Sequence, residues 1–357
     1  MSLSVAALTR LPPELAHKVA LATASRLPGP VLSLVARAHV VRDTRLEVRA
    51  FGLVFPTPVG LAAGYDKDAV AVPASFAFGF GHVEVGTVTR RPQPGNDGER
   101  LFRVREARGL VNRLGFPNQG SAVVVRRLER LRARGPLPGV LGVNIGKNKD
   151  VALDDAPREY ADLYGEVAHV ADYVTINVSS PNTDGLRSLQ SAENVRRLLG
   201  AVSEARARSS SSPPVLLKVS PALTPDDLDA LVAEVRKADV AGIVATNTTL
   251  SRDGAPEYAK ELVGGLSGRP LAPRSLAFLK DLVARLEGHV PVVSVGGISS
   301  PEDAVERLEA GACLVQLYTA LVYEGPRLVR SISEGISDAC RRSGVAGVGA
   351  LARPVAS

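Results

Sequence analysis

Tryptophan is absent from this 357-residue chain, cysteine occurs twice, and aromatic residues make up only 4% of it. So few rings disfavour single-stranded nucleic-acid binding by base stacking. Two cysteines, Cys313 and Cys340, are too few for a disulfide framework and point to a reducing compartment. No apolar run approaches the length of a membrane-spanning helix. The N-terminus also lacks a basic-then-apolar run with a small-residue cleavage site. Lys plus Arg exceed Asp plus Glu by 43 to 37, a net +6, and no basic block gathers that excess. Scattered charge of this kind suits anionic small molecules or an anionic membrane surface. A nucleic-acid partner would need clustered charge and a steep salt dependence. No metal site is expected.

What is present is a repeated pattern. Short apolar, β-branched runs each end in Gly, Asn, Ser or Thr: PVGLAAG (58–64), HVEVGT (82–87), VLGVNIG (140–146), YVTINVSS (173–180), VLLKVS (215–220), GIVATNT (242–248), PVVSVGG (291–297) and CLVQLYT (313–319). Continuous rather than alternating hydrophobicity predicts strands buried on both faces, as in a parallel sheet. Helical segments lie between them. TPDDLDALVAEVRKAD (224–239) opens with Thr224 as N-cap, Pro225 in the first turn and two acids behind it. SSPEDAVERLEAG (299–311) has the same signals, and SAENVRRLLGAVSEARA (191–207) is a third. The fold class is therefore α/β. Eight such units over roughly 260 residues predict a (β/α)8 TIM barrel, whose usual size is about 250 residues. An open doubly wound sheet is the alternative, but it would gather chemistry at one switch point. Here almost every strand end is polar.

Three regions fall outside the repeat. Residues 1–43 predict two short helices around Pro28–Gly29–Pro30, with Leu15, Val19 and Ala22 on one side and Val31, Leu34 and Val35 on the other. This segment is either a lid on the barrel or an interfacial module that dips into lipid headgroups. The barrel itself is expected over 44–341, and 342–357 reads as a disordered tail. Residues 90–120, rich in Pro, Gly and Arg, are too long for a simple turn and suggest a functional lid or an insertion.

The strand ends carry the candidate chemistry. Glycines at the end of the seventh run, together with the eighth strand end, occupy the place where barrels bind phosphate through backbone N–H groups. GGLSGRP (264–270) adds a further glycine-rich loop. Asn112, Asn144, Asn177, Asn182 and Asn247 fall at strand ends or mouth loops, and each amide can donate and accept, matching amide and imide edges of a flat ligand. Singly each would be a turn or cap residue. Lys218 inside a buried run requires an anion or a Schiff base. His82 and Glu84 read as structural, with no partner visible. Ser180 in NVSSPNT has no triad spacing and no GxSxG elbow around it, and a lone serine is a poor base. On the residues alone, a Schiff-base aldolase acting through Lys218 stays open beside a redox enzyme.

The motifs GLAAGYDKD, EVGTVTRRPQPGN, RLFR, VNRLGFPNQG, GVNIGKNK, NVSSPNTDGLRSLQ, ATNTT, GGLSGRPL, VSVGGI and LVQLYTAL run collinearly through about residues 10–335. In them the chain resembles the class 2, membrane-associated, quinone-dependent dihydroorotate dehydrogenases. The resemblance implies oxidation of (S)-dihydroorotate to orotate, a step of de novo pyrimidine synthesis, with FMN as hydride acceptor. It implies ubiquinone or menaquinone as terminal acceptor. By motif match Ser180 is the catalytic base, a position where class 1 relatives carry cysteine. Lys67, Asn112, Arg113, Leu114, Gly115, Phe116, Asn177, Asn182, Asn247 and Thr248 are implied to hold substrate. Ala63, Gly64, Lys67, Thr87, Asn144, Asn177, Lys218, Thr246, Gly268, Gly297, Tyr318 and Thr319 are implied to hold FMN. His17, Arg103 and Tyr318 match residues near the quinone head. The implied setting is a monomer attached peripherally to the cytoplasmic face of the cell membrane, without nucleic acid. Tyr65 departs from the aliphatic residue frequent in relatives.

Overall fold

All eight apolar runs become parallel strands, and the strands close on themselves. They are Val59–Leu61, His82–Val88, Val140–Ile145, Tyr173–Asn177, Val215–Val219, Gly242–Ala245, Val292–Val295 and Ala312–Leu317. Each pairs with the next in sequence, and the eighth returns to the first through Val315 and Val59. Closure rules out the open sheet. These relations come from a computed structural model that describes residues 8–183 and 185–352. Every residue of His82–Val88 is buried, as expected of strands covered by helices outside and packed side chains inside.

The helices start where the sequence signals place them. Thr224 Oγ1 accepts the Asp227 N–H at 3.2 Å, and Ser300 Oγ accepts the Asp303 N–H at 3.2 Å. Ser191 caps Ala192–Arg208 in the same manner. Each such cap satisfies an orphan donor and contributes about 1 kcal/mol. Acids in the first turns of Pro225–Lys237 and Pro301–Glu309 add favourable interaction with the helix dipole.

The long insertion is not an irregular loop. Leu101–Val104 and Gly109–Asn112 form an antiparallel hairpin, and Gly265–Gly268 pairs with it as a third strand. This sheet has its own small core of Val104, Val111, Ala259 and Leu266. Leu101, Leu110, Asn112 and Ser267 face the same cleft as the barrel strand ends, so the sheet roofs the mouth.

At the N-terminus, Pro13–Ser25 and Gly29–His39 are helices that bend by 108° at the break. No single helix among the described residues is long and apolar enough to cross a membrane. Ala16 is buried, whereas Leu15, Val19, Val31 and Leu34 are exposed, Leu34 at 65%. The first helix is tied to the roof by a two-pronged pair: Arg100 Nε and Nη2 donate to Glu14 Oε2 and Oε1 at 3.1 and 2.8 Å.

The other end differs from the expectation of a disordered 342–357. Helix Arg327–Arg342 is followed by a turn in which the Val345 N–H donates to the Cys340 carbonyl. Val348 and Leu351 are then buried in the main core. Two apolar anchors in a small, glycine-rich stretch are enough to fold it back. Residues 353–357 lie outside the described residues.

Candidate active site

The strands end in small polar residues because the mouth of the barrel is a lined cleft. It encloses an empty volume of about 1210 Å³ including its open side. The turn after the first strand brings Ala63, Gly64 and Lys67 to it, and Lys67 Nζ donates to the Gly64 carbonyl at 2.6 Å. Burial lowers the pKa of this lysine to about 8, against the opposing pull of Asp68 and Asp66. The roof hairpin and the turn after it supply Asn112, Leu114, Gly115 and Phe116. From the far side come Gly268, Gly297, Tyr318 and Thr319. Gly297 sits at φ +78°, and a Cβ there would lie 2.5 Å from Ala272, so only glycine fits this turn.

Beneath the cleft runs a network of amides. Thr87 Oγ1 donates to Asn144 Oδ1 at 2.6 Å, and Asn177 Nδ2 donates to Thr87 Oγ1 at 3.0 Å and to Asn144 Oδ1 at 3.2 Å. Asn247 Nδ2 donates to Ser179 Oγ at 3.0 Å and to Asn177 Oδ1 at 3.3 Å. The network is anchored by Glu84, which is fully buried. Its carboxylate accepts from Asn144 Nδ2 at 2.8 Å, Gln316 Nε2 at 2.9 Å and Tyr173 OH at 3.1 Å. Three donors from three other strands satisfy a buried carboxylate that would otherwise be costly. Lys218 is also buried and makes no ion pair among the described residues. Burial lowers its pKa, and the Glu84 charge acts in the opposite direction.

Ser180 is buried at the rim, and its Oγ accepts the Asn182 N–H at 3.2 Å. Among the described residues no carboxylate or imidazole hydrogen-bonds to it. The loop that carries it is held by side chains from the roof. Asn182 Nδ2 donates to Asn112 Oδ1 at 3.0 Å, and Asn96 Nδ2 reaches the Asn182 carbonyl at 3.1 Å.

A second cavity lies between the first N-terminal helix and the barrel, with an empty volume of about 1430 Å³. Its lining is chiefly apolar, including Ala16, Ala20, Leu61, Phe78 and Leu321. His17, Arg103 and Tyr318 all line it, and Tyr318 lines the first cleft as well. The Tyr65 ring stands between them, edge-on to His17 at 5.1 Å and to Tyr318 at 5.6 Å. Burial, helped by the Lys67 charge, lowers the His17 pKa to about 3, so the imidazole is neutral at ordinary pH. Arg103 Nη1 donates to the Leu11 carbonyl at 2.5 Å.

Most of the residues singled out in the sequence converge on these two spaces. Thr246, Asn247, Thr248, Asn182, Asn177, Thr87 and Lys218 line the first with Ser180. Two do not line it. Asn144 lies in the network beneath. Arg113 turns away: its Nε and Nη2 donate to the carbonyls of Glu99 and Asp97 at 3.0 and 2.7 Å, so its guanidinium props the 97–99 loop instead of facing a ligand. The sequence reading missed the partners of Glu84 and the part of Asn96. Their contacts span tens of residues, and only the acid's place in an apolar run hinted at them.

Comparison with known proteins agrees with this geometry. The family model described as dihydroorotate dehydrogenase matches residues 45–339. A dihydroorotate dehydrogenase (quinone) of Kineococcus radiotolerans is 50% identical over 334 residues, 91% of each chain. That of Thermus thermophilus is 48% identical over 347 residues, covering 96% of this chain and 98% of its own. Ligand-free DHODH from Eimeria tenella superposes with a TM-score of 0.87 at 35% identity, covering 96% of this chain and all of that one. The family model spans the barrel and its roof, the relatives cover more than nine-tenths of the chain, and the chain belongs to the dihydroorotate dehydrogenase family.

Proposed function

We propose that this chain oxidises (S)-dihydroorotate to orotate with bound FMN and passes the electrons to a membrane quinone, as a step of pyrimidine synthesis. The observation that carries the reading is the pair of cavities meeting at Tyr318: one edged by amides and two lysines, the other more apolar and open to a lipid-like ligand. The first fits FMN. Its glycine turns leave the backbone bare at the far side, Lys218 in its lining is buried without an ion pair, and Oε1 of Gln316, another lining residue, has no partner among the described residues. When bound, FMN supplies the acceptor for the hydride leaving C6 of the substrate.

The chain's own residues do the rest. Ser180 Oγ takes the proton from C5, while the loop contacts of Asn182 and Asn96 hold it in place. Lys67 pairs with the substrate carboxylate. Asn112, Asn177, Asn182 and Asn247 match the donors and acceptors of the pyrimidine ring. Lys218 offsets negative charge at the isoalloxazine. In the second cavity His17 and Arg103 orient the quinone head. Leu15, Val19, Val31 and Leu34 form an apolar surface suited to shallow attachment at the cytoplasmic face of the cell membrane. The test is anaerobic: dihydroorotate should bleach the flavin, and a quinone, but not fumarate, should restore the colour. A colourless preparation, or restoration by fumarate alone, would refute the reading.

A further inference from the structure

Behind the turn that follows the seventh strand lies a cation that none of the roles above uses. Arg307, on helix Pro301–Glu309, is 2% exposed. Its Nη2 donates to the Ala272 carbonyl at 2.8 Å, to Ser275 Oγ at 3.0 Å and to the Gly296 carbonyl at 3.2 Å. Ser275 Oγ itself donates to the Gly296 carbonyl at 2.7 Å. The carbonyl of Gly296 is thus pulled back from the cleft by two donors. The far end of the same turn is tied down by Asp303, whose Oδ2 accepts from Ser299 N at 2.7 Å. Gly296, Gly297, Ile298 and Ser299 line the cleft between these two ties.

Arg307 Nη1 has no hydrogen-bond partner, and the side chain makes no ion pair among the described residues. Asp303 and Glu306 on its own helix favour its charge. From neighbouring elements Arg269 lines this side of the cleft, and the Arg108–Glu324 pair lines the cleft beyond it. An unneutralised guanidinium inside protein is expensive unless an anion compensates it.

We propose that Arg307 is a positioning residue for the phosphate of the cofactor: it fixes the Gly296–Gly297 turn and supplies the buried positive charge that selects a phosphorylated flavin over an unphosphorylated one. Burial lowers the pKa of Arg307 to about 10, which leaves it charged at neutral pH. The phosphate would meet backbone N–H groups in front, with a full charge behind them. This inference rests on the FMN reading.

The test compares FMN with riboflavin on the full chain freed of flavin, by quenching of flavin fluorescence on binding. Wild type should prefer FMN strongly. Arg307→Met should lose about ten- to a hundredfold of that preference, the scale of a charge-assisted contact, with riboflavin affinity little changed. Arg307→Lys should recover most of the preference, since it restores charge without the planar fork. Release of FMN from diluted holoenzyme should be faster for Met than for Lys. Should Arg307→Met not fold, Arg307→Gln takes its place. If wild type prefers FMN and the neutral variant keeps that preference, or if Lys is no better than Met, the inference falls and the FMN reading stands. A wild-type chain that binds the two flavins equally overturns both.

Discussion

The two cavities share a wall yet are built on opposite rules. In the barrel mouth amides and hydroxyls from most of the strands and from the roof hold one another in fixed orientation, and Lys218 is left without an ion pair and Gln316 Oε1 without a hydrogen-bond partner among the described residues. Under the N-terminal helices the lining is small and apolar, with a neutral His17 and an Arg103 turned to backbone carbonyls. The first can discriminate a ligand atom by atom, because a missing or misplaced group leaves a buried amide unpaired. The second selects chiefly by bulk and greasiness, with His17 and Arg103 as its few polar contacts. One chain therefore combines a strict site with a permissive one, and Tyr318 touches both.

If that division is real, damage to one side should spare the other. The largest effect is expected at Ser180. Ser180→Ala should lower the rate of flavin reduction by dihydroorotate about 10²–10⁴-fold, the usual worth of a general base. Reoxidation by quinone should stay near wild type. The wild-type reduction rate should climb with pH, since a serine base works from its rare deprotonated form. Stopped-flow measurement of both half-reactions decides it, and an unchanged reduction rate in the alanine variant would sink the assignment.

The mirror-image experiment removes residues 1–39. Cutting there preserves Asp43, which accepts from Arg45 and Ser337 and so braces the barrel's outer helix. Flavin reduction should persist, while reoxidation by long-chain quinones and binding to liposomes should fall steeply. Equal loss in both half-reactions would mean the helices are a stabilising lid and would erase the division.

The two sites also differed in how far the sequence disclosed them. Strand ends are local events: NVSSPNT and VSVGG announce a rim from their own residues, and every strand read from an apolar run is present. The roof reads as a lid or an insertion, and its sheet stays hidden because the third strand, Gly265–Gly268, comes from more than 150 residues away. Alternation in LFRV is too short to reveal a hairpin. Glu84 reads as an isolated acid in a strand until Asn144, Tyr173 and Gln316 arrive from three others. Arg307 is one arginine in a helical run of the sequence, and nothing local to it marks it as buried. The apolar cavity is least legible of all. It is a gap between a helix and a barrel, and gaps have no residues of their own.

A smaller effect within the strict site should follow Lys67→Ala. Losing a charge-assisted contact to a carboxylate costs roughly 1.5–3 kcal/mol, so orotate should bind about ten- to a hundredfold more weakly with the flavin spectrum nearly intact. Because burial lowers the lysine's pKa to about 8, it is charged below that pH and neutral above it. Orotate affinity should therefore decline as pH rises through this range, opposite in sign to the Ser180 rate profile. Orotate titrations that stay flat from neutral to alkaline pH would remove Lys67 from the carboxylate.

The smallest effect is expected where the two sites are joined. Glu14 on the first helix and Arg100 on the roof make the two-pronged pair, and Arg100 Nη1 also donates to the Asn96 carbonyl at 3.3 Å. Asn96 in turn holds the loop of Ser180 through the Asn182 carbonyl. The pair is partly exposed, so its worth to stability is modest. Its hydrogen bonds to Arg100 lower the Glu14 pKa from 4.5 to about 2. The contribution is thus complete above pH 4.5 and disappears as the pH falls towards 2. Glu14→Gln should loosen the first helix while keeping Asn96 and its loop in place through the Arg113 carbonyl, to which Asn96 Nδ2 donates at 2.9 Å. The expected outcome is a few-fold rise in KM for long-chain quinone, within the range of one exposed pair, with flavin reduction and orotate affinity unchanged. If Glu14→Gln instead slowed flavin reduction, the Glu14–Arg100–Asn96 chain would be a line of coupling between the strict and the permissive site, and their independence would have to be given up.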